Sequence, residues 1–158
     1  MADTELSLAR NVSRLLRERG LTVAVAEGTT GGRIGERLVR RAGASVFFKG
    51  SIVTYDYPSR TTVLGIPREL LATHGAVSEP VARAMAQAVR VKFGADLGLA
   101  STGVAGPGGR QVGTVWIAVA AEEGARSTRH DLPSGSRLQL HRRFTSLALR
   151  LLAEVASA

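Results

Sequence analysis

A glycine-rich segment directly after an apolar run is the first place in this chain where chemistry is expected. Residues 26–32 read AEGTTGG, follow the largely apolar residues 21–25, and lead into a helical pattern that begins at Arg33. This order predicts a strand, a tight turn and a helix. Such a junction directs backbone N–H groups and the positive end of a helix dipole to one point, which suits a phosphate or a developing oxyanion.

A second glycine-rich loop, residues 103–109, follows another apolar run. Ligands collect where the strands of an open α/β sheet end, so two such loops favour a binding site. Neither loop matches the dinucleotide fingerprint or the P-loop pattern, so neither a Rossmann cofactor nor a P-loop nucleotide is supported, and no cofactor is predicted. Each loop is equally consistent with a turn that needs glycine for its backbone conformation.

Other catalytic and metal-binding patterns are weak in this sequence. The three histidines, His74, His130 and His141, are isolated from one another and from acidic clusters, so no metal site is predicted. The chain has no cysteine, which rules out a thiolate nucleophile and a disulfide framework. It also has no G-x-S-x-G nucleophile elbow.

The elements that would position these loops alternate between helix and strand. Helices are predicted from the capping residue Thr4 to Gly20, over 31–42, from Tyr57, from Ser78 to Gly94, and over 138–155. Strands are predicted at 21–26, 46–55, 96–102 and 112–121, with an edge strand at 126–132. The run 96–102 is mostly apolar, which indicates burial on both faces. This alternation predicts a three-layer α/β/α sandwich with a mixed β-sheet.

Length, composition and charge bound the class of protein. The 158 residues are 44% hydrophobic and 22% charged, which indicates a single globular domain over residues 1–158. The amino terminus has no apolar leader, and no apolar stretch approaches the roughly 20 residues that span a bilayer, so a cytoplasmic location without a membrane partner is expected. The net charge is +8, but the arginines are scattered and aromatic residues are only 4%. Those two features argue against a nucleic-acid partner.

Five motifs, in order along nearly the whole chain, resemble the CinA carboxy-terminal family. They read AEGTTGG at 26–32, GSIVTY at 50–55, HGAVSE at 74–79, TGVAGPGG at 102–109 and VGTV at 112–115. The resemblance is to the stand-alone form of this domain and implies a homo-oligomer. Active members of the family are nicotinamide-nucleotide amidohydrolases, which convert nicotinamide mononucleotide and water to nicotinate mononucleotide and ammonia.

The chain departs from that family at its two catalytic positions. The family's serine nucleophile corresponds to Gly28, and the cysteine that follows it corresponds to Thr29. The lysine that activates the serine corresponds to Arg60, whereas the supporting Tyr55 is kept. Glycine supplies no nucleophile, and arginine stays protonated and cannot act as a base. We therefore expect little or no amidohydrolase activity.

The phosphate end of the resemblance is also altered. Only Arg110 and Gln111 separate the second glycine loop from the VGTV motif, fewer residues than in the family. The family's S-G-D-R sequence reads SGSR at 134–137, so Arg137 is kept while the acid is replaced by Ser136. Substrate recognition is therefore expected to differ from that of the family.

The residues kept from the family could hold the fold, or they could shape an anion-accepting cleft lined by Arg60 and Arg137. The candidate ligand-binding residues are Glu27, Gly31, Gly32, Thr102, Gly103, Gly106, Pro107, Gly108 and Arg137, and the candidate catalytic positions are Gly28, Thr29, Thr30, Tyr55 and Arg60. A small phosphorylated ligand such as a mononucleotide is expected in the cleft. Two alternatives stay open: an active amidohydrolase with Thr29 or Thr30 as nucleophile and Glu27 or Tyr55 as base, and a non-catalytic module that associates with protein or nucleic acid.

Overall fold

The fold is built on a five-stranded mixed sheet, which the computed structural model describes for residues 4–109 and 111–158. The strands are β1 Val23–Glu27, β2 Phe48–Val53, β3 Leu97–Gly103, β4 Thr114–Ala121 and β5 Gly124–Asp131. Their order across the sheet is β2-β1-β3-β4-β5. β1 is parallel to both β2 and β3, whereas β4 is antiparallel to β3 and to β5. The predicted mixed sheet, with the last strand at an edge, is confirmed.

Helices cover both faces of the sheet and complete the predicted α/β/α sandwich. They are α1 Glu5–Arg19, α2 Arg33–Val39, α3 Tyr57–Thr62, α4 Arg68–His74, α5 Glu79–Phe93 and α6 Arg137–Ser157, with a 3-10 turn at Ala44–Val46. α1, α2 and α6 pack against one face, and α4 and α5 pack against the other. Within the described ranges, none of the helices has the length and apolar character needed to cross a bilayer.

The two faces of the sheet carry side chains of different size. In β4, the large residues Val115, Ile117 and Val119 face α1 and α6, whereas the alanines at 118 and 120 face α5. The backbone of α5 lies very close to β3, because a Cβ on Gly98 would be 2.0 Å from the carbonyl oxygen of Ala86. Small residues on this face therefore permit the close approach of α5.

The first and last helices begin with the capping residues that hydrogen-bond their free N–H groups. The Thr4 side chain accepts a hydrogen bond from the backbone N–H of Ser7 at 3.1 Å, and Gly20 ends α1 in the left-handed conformation. α6 begins with a capping box formed by Ser136 and Gln139. The helix predicted after Thr4 is confirmed, and the closing helix begins one residue earlier than predicted.

Several predicted boundaries are wrong by a few residues. Gly31 and Gly32 have φ values of 59° and 101°, outside the helical region, so α2 begins only at Arg33, and it ends at Val39. β1 begins at Val23, and β2 begins at Phe48 because the residues before it form the 3-10 turn. α4 is not predicted from the sequence at all. Residues 1–3 and Arg110, which enter the predictions on the amino terminus and the shortened loop, lie outside the described residues.

The parallel strands bring the candidate site to one edge of the sheet. In the register, Glu27 at the end of β1 pairs with Val53 at the end of β2 and with Ser101 near the end of β3. Because these three strands run in the same direction, the loops that follow them emerge side by side. The amino-terminal end of α6 reaches the same edge, where Arg137 contacts Gly106.

Candidate functional site

A cavity of about 450 Å³ opens where the parallel strands end. This volume lies within the range of about 300–1,000 Å³ that is usual for small-molecule sites. Its walls are formed by Thr29, Tyr55, Tyr57, Arg60, residues 74–77, residues 103–108, Gln111 and Arg137. Segments that are far apart in the sequence therefore meet at one concave site.

Arg60 is a buried cation in the wall of this cavity, with only 5% of its surface exposed. Its Nη1 donates to the carbonyl oxygen of Ala76 at 3.0 Å and to the Thr102 hydroxyl at 3.1 Å. The Thr102 hydroxyl in turn donates to the same carbonyl oxygen at 2.7 Å. Thr102 therefore links Arg60 to the loop before α5 and fixes one edge of the guanidinium.

The hydrogen-bond acceptors around Arg60 are all neutral. Besides the contacts of Nη1, its Nε lies 3.4 Å from the carbonyl oxygen of Thr54, and no carboxylate among the described residues forms an ion pair with it. Burial lowers the pKa of Arg60, because the charged guanidinium is separated from water, and the nearby Tyr57 and Asp56 oppose this lowering only in part. An anion in the cavity would supply the partner that the described part of the fold does not.

Gly28 stands directly beside that guanidinium. Its N–H donates to the carbonyl oxygen of Ser101 at 3.0 Å. A Cβ on Gly28 would lie 2.9 Å from Nη2 of Arg60 and 3.2 Å from the Ser101 carbonyl oxygen. The Arg60 side chain therefore occupies space that a side chain at position 28 would need, and these two positions are adjacent in space.

Glu27 is fully buried and holds the turn together rather than facing the cavity. Its Oε1 accepts hydrogen bonds from the Thr30 hydroxyl at 2.8 Å and from the backbone N–H of Ile34 at 2.9 Å. Its Oε2 accepts from the Ser51 hydroxyl at 2.7 Å and from the backbone N–H of Gly35 at 3.0 Å. The carboxylate thus caps the first turn of α2, and the Thr30 hydroxyl is engaged in holding it.

Thr29 carries the hydroxyl of this turn that does line the cavity, although only 8% of the residue is exposed. Its Oγ1 lies 3.4 Å from Nε2 of His141 on α6. Burial lowers the pKa of His141 below its ordinary value of 6.5, and the positive charges of Arg137 and Arg33 act in the same direction. The lowered pKa favours the uncharged imidazole near neutral pH, which is the form that can accept a proton.

Arg137 joins the second glycine loop to the loop that follows β2. It is the first residue of α6, and its guanidinium donates to the carbonyl oxygen of Gly106 and to the hydroxyl of Tyr55. Tyr55 is 59% exposed, and Arg137 is exposed as well. The cavity wall therefore carries one buried arginine and one accessible arginine.

The sequence-predicted residues divide into those that line the cavity and those that do not. The lining residues are Thr29, Tyr55, Arg60, Gly103, Gly106, Pro107, Gly108 and Arg137. Glu27, Thr30 and Thr102 support the walls from behind, and Gly28 adjoins Arg60. Gly31 and Gly32 border a separate surface depression beside Arg33 and Arg37.

The sequence does not single out several residues of the site, among them Tyr57, His74 and Gln111 in the cavity wall and His141 beside Thr29. Tyr57 is interpreted only as the start of a short helix, and His141 only as an isolated histidine. His141 stands four residues after Arg137, a helical spacing that places both side chains on one face and could have identified it. No group of three or more histidine and acidic residues is placed to hold a metal ion within residues 4–109 and 111–158.

Comparison with known proteins gives the same family along almost the whole chain. The model of the CinA C-terminal domain matches residues 5–156. A CinA-like protein of Gemmatimonas aurantiaca is 49% identical over 135 residues, which are 83% of this chain and 31% of that protein. A CinA-like protein of Chloroherpeton thalassium is 40% identical over 164 residues, 99% of this chain and 39% of that protein. The chain thus spans about a third of the length of the curated relatives it matches.

Solved structures match at full length. A protein of the competence-damaged protein superfamily from Klebsiella pneumoniae has a TM-score of 0.94 and 29% identity, covering 98% of this chain and 99% of that chain. A competence/damage-inducible protein from Agrobacterium tumefaciens has a TM-score of 0.92 and 31% identity, covering 100% of both chains. The fold, the order of motifs and the family model agree, and this chain belongs to the CinA C-terminal domain family.

Proposed function

We propose that this chain binds a small phosphorylated ligand of the mononucleotide class in the cavity, and that it has little or no nicotinamide mononucleotide amidohydrolase activity. The observation that carries the binding of an anionic ligand is the environment of Arg60, a buried cation in the cavity wall without an acidic partner among the described residues. A buried charge without a counter-ion is unfavourable, so a bound anion would relieve the cost of burying it.

The low expected activity follows from the chemistry available at Gly28 and Arg60. Attack on a carboxamide needs a nucleophile and a group that removes its proton. Gly28 offers no side chain, and a guanidinium stays protonated under ordinary conditions and cannot accept that proton. Removal of either member of a cooperating pair costs several orders of magnitude in rate.

Arg137 and the second glycine loop are the proposed contacts for the phosphate. Arg137 is held in place by Gly106 and Tyr55 and lies at the amino-terminal end of the 21-residue helix α6. The dipole of a long helix adds positive potential at that end. A guanidinium fixed there is suited to a phosphate that stays partly in contact with water.

Two measurements on the purified protein test this proposal. Ammonia release from nicotinamide mononucleotide is expected to be near background, with the double variant Gly28→Ser, Arg60→Lys as the comparison in which activity is partly recovered. Thermal unfolding with mononucleotides should show stabilisation that grows with free ligand concentration. That stabilisation should be reduced in Arg60→Met and retained in Arg143→Ala, which removes an exposed arginine of α6 away from the cavity.

The outcomes separate the proposal from its competitors. Robust ammonia release by the unmodified chain would contradict the low activity. If no mononucleotide stabilises the protein while short DNA does so in a salt-sensitive manner, the basic surface is the functional feature and the cavity is not.

A second candidate function is an amidohydrolase that uses Thr29, and the observation that favours it is the contact of Thr29 with His141. An uncharged imidazole 3.4 Å from the hydroxyl could remove its proton as the oxygen attacks a carbonyl carbon. His141 is a better-placed base than Glu27, whose oxygens already accept four hydrogen bonds. Ammonia release that is abolished by Thr29→Val and by His141→Gln would establish this function over the first.

We also propose that the chain is a cytoplasmic homo-oligomer. Val53, in the edge strand β2, is 44% exposed, and Val46, in the 3-10 turn before that strand, is 64% exposed. An exposed edge strand flanked by apolar side chains is suited to association with another copy. Sedimentation should give a multiple of the 16.6 kDa chain mass, and a strictly monomeric mass would contradict this. Cell fractionation tests the location.

A further inference from the structure

We propose that the Arg60 end of the cavity selects a carboxylate over the corresponding neutral carboxamide, so that the ligand is the acid rather than the amide member of such a pair. This inference rests on the proposed binding function and specifies the chemical class of its ligand. It is carried by the arrangement of donors and acceptors around Arg60.

The guanidinium of Arg60 is satisfied on one edge and open on the other. Nε and Nη1 contact the carbonyl oxygens of Thr54 and Ala76 and the Thr102 hydroxyl. Nη2 donates to no described residue, and it is the atom that approaches Gly28. Arg60 lines the cavity, so a bound ligand can reach the guanidinium where no described residue accepts a hydrogen bond from it.

A carboxylate and a carboxamide would meet this open edge differently. Both oxygens of a carboxylate accept hydrogen bonds, and its negative charge pairs with a guanidinium that has only neutral acceptors around it. A carboxamide has one accepting oxygen and no charge. Its NH₂ group is itself a donor and could not accept a hydrogen bond from the N–H groups of Arg60. Hydrogen bonds to charged groups are worth more than those between neutral groups, so we expect a preference for the acid of about tenfold or more.

Burial also favours a carboxylate over a phosphate at Arg60. This residue is 5% exposed and contributes a single positive charge, and a phosphate dianion placed there would lose more hydration than one cation restores. Arg137, which is accessible at the end of α6, is the better partner for a phosphate. The two arginines would thus bind opposite ends of one ligand, with its carboxylate at Arg60 and its phosphate at Arg137.

Calorimetric titration of the unmodified protein with nicotinate mononucleotide and nicotinamide mononucleotide tests this inference, because the two compounds differ only in the carboxylate or carboxamide group. The acid should bind about tenfold more tightly or better. The ratio of the affinity for the acid to the affinity for the amide should fall to about one in Arg60→Met. It should be smaller but still above one in Arg60→Lys, and unchanged in Arg143→Ala. Circular dichroism verifies that each variant is folded, and the ratio in the unmodified protein does not depend on any variant.

The outcomes separate this inference from the proposed function. Equal affinities, or tighter binding of the amide, would overturn the carboxylate selectivity while leaving a ligand-binding cavity. Binding of neither compound would overturn both. Inorganic phosphate that binds in an Arg60-dependent manner, without an acid preference among the mononucleotides, would assign Arg60 to phosphate and also overturn the selectivity.

Discussion

The guanidinium of Arg60 and the backbone of Gly28 share one small volume, since Nη2 of Arg60 lies 2.9 Å from the point where a Cβ on Gly28 would stand. The arginine is held there by hydrogen bonds from Nη1 to Ala76 and Thr102. A side chain at position 28 and an arginine at position 60 are therefore in conflict. The absence of a side chain at position 28 leaves room for the guanidinium.

The first prediction concerns that conflict. Gly28→Ser should destabilise the protein by about 1–3 kcal/mol, because the new Cβ displaces the buried guanidinium. Lysine lacks the branched guanidinium that the serine side chain would displace. The double variant Gly28→Ser, Arg60→Lys should therefore lose much less stability than Gly28→Ser alone, and the effects of the two substitutions on the free energy of unfolding should be non-additive. Urea unfolding of the unmodified protein, the two single variants and the double variant measures the interaction energy between positions 28 and 60. Strict additivity would show that the serine and Arg60 fit together without conflict.

The second prediction assigns Glu27 to the fold rather than to proton transfer. Glu27→Gln replaces one of two accepting oxygens with a donor group in a place where four donors converge. We expect a loss of about 2–3 kcal/mol in the free energy of unfolding. Glu123→Gln, at an exposed position between β4 and β5, should change it by less than about 0.5 kcal/mol. Equal, small effects of both variants would contradict the structural role of Glu27.

Much of the fold could be predicted from local sequence signals. The apolar run at 96–102 indicates a strand buried on both faces, and β3 is buried through residues 97–102. Thr4, Gly20 and Gly94 mark helix ends because capping and left-handed backbone are properties of single residues. The start of α2 is misplaced because a glycine in the turn and a glycine in a helix look alike in sequence. Their difference is the positive φ of Gly31 and Gly32.

The candidate site could be predicted only in part, because its decisive contacts are between distant segments. The sequence leads us to expect that Gly28 and Arg60 depart from the family motifs. That the two are adjacent, and that Arg60 is held by Thr102 and Ala76, depends on how α3 packs against β3 and the loop before α5. The role of His141 likewise depends on the packing of α6 beside Thr29.

The third prediction concerns Arg137 as a ligand contact. Arg137→Ala should weaken mononucleotide binding by about tenfold or more, because it removes an accessible cation that the Gly106 carbonyl and the Tyr55 hydroxyl hold in position. The free energy of unfolding should change by less than about 1 kcal/mol, since the side chain is exposed. Arg143→Ala on the same helix is the matched control. Unchanged affinity in Arg137→Ala, measured by calorimetric titration, would exclude this arginine from the site.

The fourth prediction concerns the titration of His141. Burial, reinforced by the charges of Arg137 and Arg33, lowers the pKa of its imidazole below the ordinary value of 6.5. The folded protein therefore binds fewer protons at this residue than the unfolded chain does, and stability rises with pH wherever that difference exists. The stability that depends on an uncharged His141 is fully present above a pH of about 6.5. It is lost as the pH falls through the lower pKa that His141 has in the folded protein.

Two measurements check this titration. In an NMR titration, the His141 resonances should shift with a midpoint below 6.5. Urea unfolding at about pH 7.5 and about pH 5 should show a larger acid loss of stability in the unmodified protein than in His141→Gln, which keeps a polar side chain but cannot titrate. A midpoint at or above the ordinary value, or equal acid losses in the two proteins, would mean that His141 is well hydrated. The imidazole would then be partly charged near neutral pH, and its contact with Thr29 could not serve as a nucleophile and base pair.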